Sequence, residues 1–361
     1  MTLKTKNNKV FLTGATGLLG SYLLNKFILD ERYVLVLVRK KNNLKSYERV
    51  TNGLLFWNKQ IAKSAKKFLT ILEGDITDEN FGLSKRNLVH HFEGIEEIYH
   101  CAATTAINKP LDEIRQVNVE GTKNLLEASL FSIRSGKLKK INHISTAFVC
   151  GNHFGIFKEK DLDLGQKFNS TYDKSKFEAE IVVNNFRKKG LWIDIFRPPI
   201  IIGDSLTGKI PFFKNIYQLF HLCELGIFDV LPLKKSFTYL APIDLLSEYI
   251  YKISKQAKLL NQNYHVFSNK PILFENIILK AAKILNFKLP KLVELNKDFK
   301  SRLRPVDRSI FDRMAFFLNL NAKFDCSNIE KFSIPGTFSG KRCWDVILDK
   351  MILYYKKRGK K

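Results

Sequence analysis

The chain has 361 residues, beyond the length at which a single hydrophobic core keeps growing, so one large domain with a smaller lobe is expected. Its 45% hydrophobic content, with 29 Phe, is enough to bury a sizeable core and excludes a disordered chain, while no apolar run approaches the roughly 18 residues of a membrane span. The net charge of +25 fits an anionic partner or a lysine-biased composition; no nucleic-acid-binding motif accompanies it, so no nucleic acid is expected.

The first residues, up to Lys9, lack the apolar stretch of a secretion signal and run straight into a strand, so no signal peptide is expected; the expected cytoplasmic setting rests on the scattered cysteines. Residues 10–13 predict a short buried strand, followed by a glycine turn and an apolar helix over 19–30. Residues 33–38 are continuous, apolar and rich in β-branched side chains, as expected of a central parallel strand buried on both faces. Further strands are predicted at 68–72, 97–101, 141–145 and 192–196, with helices at 119–132 and 172–189 between them. Strands alternating with helices at this spacing imply an α/β fold, a doubly wound parallel Rossmann-type sheet, with ligands bound beyond the carboxyl ends of its strands. After Arg197-Pro198-Pro199 the pattern changes. Residues 211–240 are aromatic and helix-like, 264–268 resemble one more strand, and the rest reads as helical patches broken by Pro290, Pro305 and Pro335. The expected division is 1–208 for the sheet domain and 209–361 for a mainly helical substrate lobe, with excursions back to the sheet domain around 236–268.

Five cysteines (Cys101, Cys150, Cys223, Cys326, Cys343) are scattered, odd in number and never spaced C-x-x-C, which argues for reduced thiols and against a zinc site. The seven histidines show no ligand spacing either, and no metal is expected.

Thr13-Gly14-Ala15-Thr16-Gly17-Leu18-Leu19-Gly20 stands between a predicted strand and a predicted helix, the context a dinucleotide fingerprint requires. Gly14 and Gly17 allow a tight turn that aims helix N–H groups at a pyrophosphate, and Gly20 lets the helix pack close to the sheet. An NAD-binding chain ends its second strand in Asp or Glu; here Arg39 stands there, followed by Lys40 and Lys41. A guanidinium grips a 2′-phosphate that a carboxylate would repel, so NADP(H) is the expected cofactor. Asp75 and Ile76 follow the third strand, where a carboxylate can meet the adenine amino group. Ala102 and Ala103 follow the fourth, small enough for a ribose to lie against backbone.

Tyr172 and Lys176 are four residues apart and share one face of the predicted helix. A tyrosine with its ordinary pKa of about 10 is a poor acid–base catalyst at neutral pH, and an adjacent ammonium is expected to lower it. Ser145-Thr146-Ala147 closes the fifth strand, about 26 residues upstream, where a hydroxyl can polarise a substrate carbonyl.

In this order the motifs resemble the extended short-chain dehydrogenase/reductase family, across nearly the whole sheet domain. The resemblance implies that Thr146 takes the catalytic Ser/Thr position, favoured over Ser145 because 146–151 matches S-A-x-V-Y-G, with Cys150 in place of the tyrosine. Tyr172 and Lys176 become the catalytic pair, and Asn118 the asparagine that supports the active-site helix and a water near the lysine. It further implies cofactor contacts from Thr16, Leu18 and Leu19 in the glycine run, from Tyr172 and Lys176, and from Pro198 and Ile201.

Details resemble the thioester reductase and fatty acyl-CoA reductase branch. Gly74-Asp75-Ile76 followed by Phe81-Gly82-Leu83-Ser84 is similar to G-D-x…L-G-L-S. The run from Arg197 to Gly208 is similar to R-P-x-x-I-x-G-D-S-x-T-G, and Pro242-Ile243-Asp244 to the P-V-D step that follows. The branch implies NADPH-dependent reduction of an acyl thioester, on coenzyme A or an acidic acyl carrier protein, to aldehyde or alcohol. Rival readings are a nucleotide-sugar or hydroxysteroid dehydrogenase/epimerase with the same Tyr and Lys, and a cofactor-sensing scaffold. Trp344 to Tyr355 with the lysines after it reads as an amphipathic helix with a basic tail, which either caps the core or touches an anionic membrane.

Overall fold

Stretches rich in apolar and β-branched residues, clearest in Tyr33–Val38, build the sheet. The computed structural model describes residues 9–41, 45–107, 109–256, 260–294, 320–332 and 344–359, together with 299, 303 and 308. Pro305, Pro335, Cys343 and the terminal Lys360 and Lys361 lie outside the described residues. The strands are β1 (Lys9–Thr13), β2 (Tyr33–Val38), β3 (Leu69–Glu73), β4 (Ile95–His100), β5 (Lys140–Ile144), a short β6 (Gly155–Phe157) and β7 (Ile193–Arg197). Between them run α1 (Leu18–Leu29), α2 (Ser46–Trp57), α3 (Lys59–Ser64), α4 (Lys85–Phe92), α5 (Leu111–Arg115), α6 (Gly121–Arg134) and α7 (Thr171–Lys188).

Seven strands form the central sheet in the order Asn263–His265, β7, β5, β4, β1, β2, β3. The ladders from β7 through to β3 are all parallel. Chain order reverses at β1, which pairs β2 on one side and β4 on the other, Thr13 lying opposite both Leu37 and His100. A ligand cleft is expected at the carboxyl ends of these two strands. The core beneath is apolar and aromatic: Phe11, Phe81 and Phe92 are fully buried, and the Phe11 and Phe92 rings lie 4.7 Å apart. Leu88 of α4, Leu125 of α6 and Val183 of α7 pack into the same cluster, which is why these helices carry an apolar stripe.

The contacts divide the chain into two units, and the division differs from a single cut at 208. One unit comprises residues 1–149, 171–197 and 250–264; the other comprises 150–170, 198–249 and 265–361. The return to the sheet unit is thus narrower than 236–268, and the second unit borrows an early segment, 150–170, that chain order alone assigns to the sheet domain.

Among its described residues the second unit combines helices with small two-stranded sheets. Four two-stranded sheets occur among its described residues, pairing β8 (Ile200–Ile202) with Leu240–Pro242, Val230–Leu231 with Lys291–Leu292, Phe237–Thr238 with Ile272–Leu273, and β6 with Ala322–Phe324. The stretch 211–240 holds one helix of nine residues, α8 (Ile216–Glu224). Next come α9 (Ile243–Ser254) and α10 (Phe274–Leu285). The run 203–208 is a locked loop: Asp244 accepts from the Ser205 amide at 2.9 Å and its hydroxyl at 2.6 Å, while Asp204 accepts from the Leu206 and Thr207 amides. The helix Trp344–Arg358 buries Ile347, Leu348, Met351, Ile352 and Tyr355, and Lys280 on α10 bonds Asp349 at 2.9 Å. Its apolar face is therefore used inside this unit and is not free to lie on a membrane. No helix among the described residues is long and apolar enough to cross one.

Candidate active site

The glycine run does what its spacing demands. Gly14 leaves β1 with a φ of +73°, and a Cβ there would sit 2.6 Å from the Ala102 nitrogen, so the turn lies directly on the exit of β4. A Cβ on Gly20 would come 2.2 Å from the Gly14 carbonyl oxygen. Gly17 occupies the N-cap of α1 without a side-chain cap, and the first-turn N–H groups face outward as an anion site.

A cleft of about 200 Å³ opens here, lined by Gly14, Thr16 and Gly17 from the turn, by Arg39, and by Ile76, Ala102 and Ala103 from the ends of later strands. Leu18 is half-buried, whereas Leu19 and Gly20 are buried and serve packing. Asp75 closes its own turn, accepting from the Thr77 amide (3.0 Å) and hydroxyl (2.9 Å), with the Arg39 guanidinium 4.0 Å away. Pro198 and Ile201 belong to the second unit, Ile201 pairing with Ala241. Sequence reasoning missed Arg49. It reaches from α2 into the same cleft and donates to the Arg39 carbonyl at 2.6 Å. Ten residues separate the two arginines in sequence, and the fold brings both to this cleft.

Beneath the cleft runs a buried polar chain. The Ala102 N–H donates to Thr13 Oγ1 (3.1 Å), Thr13 meets His100 Nδ1 (2.8 Å), His100 Nε2 meets Thr122 Oγ1 (3.0 Å), and the Thr122 hydroxyl donates to the Asn118 carbonyl (2.7 Å). Thr122 has one proton, committed to Asn118, so its oxygen accepts from His100 Nε2–H; Nδ1 is then the lone pair that takes the Thr13 proton. This direction requires a neutral imidazole, and burial holds His100 at about 3. The chain ties the glycine turn to Asn118, which sits in a π-helical turn, Gln116–Glu120, ahead of α6. The Asn118 side chain spans the next gap: Nδ2 donates to the Thr104 carbonyl (3.1 Å) and to Ser175 Oγ (2.8 Å), and Oδ1 accepts from the Thr104 amide (2.8 Å). Ser175 in turn donates to the Tyr172 carbonyl at 2.7 Å.

Tyr172 stands in the first turn of α7, and its phenol hydrogen-bonds the Thr146 hydroxyl at the end of β5. The neighbouring Ser145 hydroxyl is buried and has no partner among the described residues, so of the two it is Thr146 that reaches the tyrosine. Lys176, one turn along α7 and 2% exposed, donates from Nζ to the Ile144 carbonyl at 2.8 Å. One expectation fails. The phenol is not held acidic by this ammonium: burial, followed by the Asp173 carboxylate, pushes it up, against a smaller pull from Thr146. The cost of burying a phenolate outweighs what stabilises it. Burial also draws Lys176 down to about 8, with Glu180 and Cys101 acting the other way.

A wider cavity of about 590 Å³ opens at the other end of the sheet, among Arg32, Glu97, Lys140 and Trp192. Its charges satisfy one another, Arg32 with Glu97 at 2.8 Å and Lys140 with Asp194 at 2.9 Å, so size alone does not make it the site of chemistry. Among the described residues no cluster of three or more His, Cys, Asp or Glu is placed to hold a metal ion.

A family model described as male sterility protein, an NAD-binding family, matches residues 12–250. Nonribosomal peptide synthetase asaC of Aspergillus flavus is 30% identical over 275 residues, covering 73% of this chain and 26% of the synthetase. Fatty acyl-CoA reductase 2 of Mus musculus is 32% identical over 149 residues, 39% of this chain and 28% of the reductase. The chain spans about a quarter of the length of these relatives. Among solved structures, the terminal R domain from the myxalamid PKS-NRPS pathway superposes with a TM-score of 0.81 at 22% identity, over 99% of this chain and 93% of that one. A UDP-glucuronic acid 4-epimerase from Bacillus cereus, in complex with NAD, gives 0.68 at 19% identity over 98% of both chains. At these identities the likeness is one of fold.

Proposed function

We propose that this chain, which belongs to the male sterility protein family within the extended short-chain dehydrogenases/reductases, is an NADPH-dependent reductase of acyl thioesters. The observation that carries the reading is the meeting of the Thr146 and Tyr172 hydroxyls beside a buried Lys176, at the carboxyl end of the sheet. The names of its relatives, peptide synthetases and a fatty acyl-CoA reductase, support the thioester as the substrate class.

The cleft fits a nicotinamide dinucleotide, because side chains are missing where a pyrophosphate must approach backbone and cations stand where a 2′-phosphate would lie. Gly14, Thr16 and Gly17 would hold the pyrophosphate, Arg39 and Arg49 the 2′-phosphate, Asp75 and Ile76 the adenine, and Ala102 and Ala103 a ribose. When bound, the cofactor supplies the hydride. The residues supply the rest. Thr146 and Tyr172 offer two hydroxyls to one carbonyl oxygen, stabilising the charge that develops there. Tyr172 then gives that oxygen its proton, and a phenol kept neutral by burial holds the proton ready for the reducing direction. Lys176 is aimed to meet ribose hydroxyls and steady Tyr172 as it ionises, and Asn118 fixes the first turn of α7 through Ser175. The hemithioacetal so formed would collapse, its C–S bond breaking as the hydroxyl proton passes to sulfur, to leave an aldehyde and release the thiol of coenzyme A or of a carrier protein.

NADPH oxidation measured against acyl-CoA and carrier-bound thioesters, nucleotide sugars and hydroxysteroids tests this. Consumption with thioesters is expected; turnover confined to nucleotide sugars or steroids overturns it. For the cofactor, Arg39→Ala or Arg49→Ala should each weaken NADPH binding about tenfold, the worth of one charge-assisted contact, and leave NADH binding unchanged in the same titration.

A further inference from the structure

Lys176 is a buried cation, 2% exposed. Its Nζ donates to a neutral carbonyl, that of Ile144, which does little to offset the loss of water. The groups that face it from each packed element are His100 and Cys101 at the end of β4, His143 on β5, and Tyr172 and Glu180 on α7 itself; a second buried carboxylate of α7, Asp173, bears on Tyr172. Burial keeps both imidazoles neutral, keeps Tyr172 a phenol, and pushes the Cys101 thiol up to about 12, so none of these carries charge at neutral pH. Glu180 is different. It lies one turn beyond Lys176 on the same face of α7, is 0% exposed, and is gripped by Arg197, whose Nε reaches both carboxylate oxygens (3.0 and 3.2 Å) and whose Nη2 reaches Oε2 at 2.7 Å. Both carboxylate oxygens are thus held in place by the Arg197 guanidinium in charge-assisted bonds.

We propose that Glu180 is a positioning residue of the site: its carboxylate, clamped by Arg197, holds the buried Lys176 side chain in the ammonium form. This rests on the reading of Lys176 given above, but the test does not need turnover. The ammonium exists below a midpoint of about 8 and is lost as pH rises through it. Removing the carboxylate removes a stabiliser of the charged form, so the midpoint must fall.

The direct measurement is a pH titration of the full chain labelled with ¹³C at lysine Cε, the Lys176 signal being assigned by its loss in Lys176→Arg. In Glu180→Gln the midpoint is expected to fall by about one pH unit or more, the effect of a nearby opposite charge. Glu180→Asp, which keeps the charge, should restore most of it. Should the single amide variant fail to fold because Arg197 is left unpaired, E180Q/R197Q replaces the pair with two amides and should show the same fall. An unchanged Lys176 midpoint in the folded amide variant overturns the proposal. Where a thioester is turned over, the alkaline limb of kcat should move down with the Lys176 signal; a titration that moves with no thioester turned over would leave Glu180 in place and sink only the proposed reaction.

Discussion

Tyr172→Phe is expected to lower kcat about a thousandfold while NADPH affinity and thermal stability stay close to those of the parent chain. The ring is kept, so packing in the first turn of α7 is kept, and the backbone bond from Ser175 to the Tyr172 carbonyl does not involve the phenol. What goes is one hydroxyl, the partner of Thr146. General acid catalysis contributes on the order of 10² to 10⁴ in rate, and the loss falls in that range if the phenol is the proton donor. Because burial keeps the phenol protonated, no acid limb in the pH profile is expected from it; the limb attributable to this cluster is the alkaline one, where Lys176 loses its charge as pH rises through about 8. Steady-state rates, a cofactor titration and a melting curve on the same sample check all three statements. A variant that keeps its turnover but melts earlier would make the hydroxyl a packing group.

The residues that could be read from sequence are those whose role follows from local spacing. Gly14, Gly17 and Gly20 act within one strand–turn–helix, and Tyr172 and Lys176 share a helix face by separation alone, so the chain itself carries the signal. The polar chain under the cleft carries none. Thr13 and His100 are 87 residues apart, and each alone is an ordinary strand residue; their bond exists only because β1 and β4 are neighbours in the sheet. Arg49 was hidden for the same reason, and so was the partnership of Asp244 with Ser205 across 39 positions. The tyrosine shows a different limit. Spacing places a cation near a phenol, but the balance between that cation and desolvation depends on burial and on where the Nζ protons point, neither of which is written in a four-residue period. The short strands of the second unit were not legible because aromatic richness does not distinguish helix from short strand: Phe237, Tyr239 and Phe267 form a packed aromatic cluster around two-residue strands.

Gly14→Ala should cost both stability and cofactor binding, and a second glycine separates the two causes. At a φ of +73° an alanine pays roughly 1–2 kcal/mol for the left-handed conformation. Its Cβ would also meet the Ala102 nitrogen and the Cys101 carbonyl carbon at 2.6 Å, and backbone at the exit of a central strand cannot swing away as a side chain would. Forcing it apart adds about 1–3 kcal/mol and strains the Ala102 N–H bond to Thr13, so the harm reaches the relay to Asn118. Gly94, in the turn before β4, has a φ of +85° with nothing within 4 Å of its ideal Cβ. Gly94→Ala therefore carries the conformational cost alone. Denaturant unfolding should show the Gly14 variant less stable than the Gly94 variant, and in an NADPH titration only the Gly14 variant should lose affinity. Equal stability in the two, with NADPH bound as tightly by both, would mean that the turn does not lie on the end of β4, and the cleft as described would not exist.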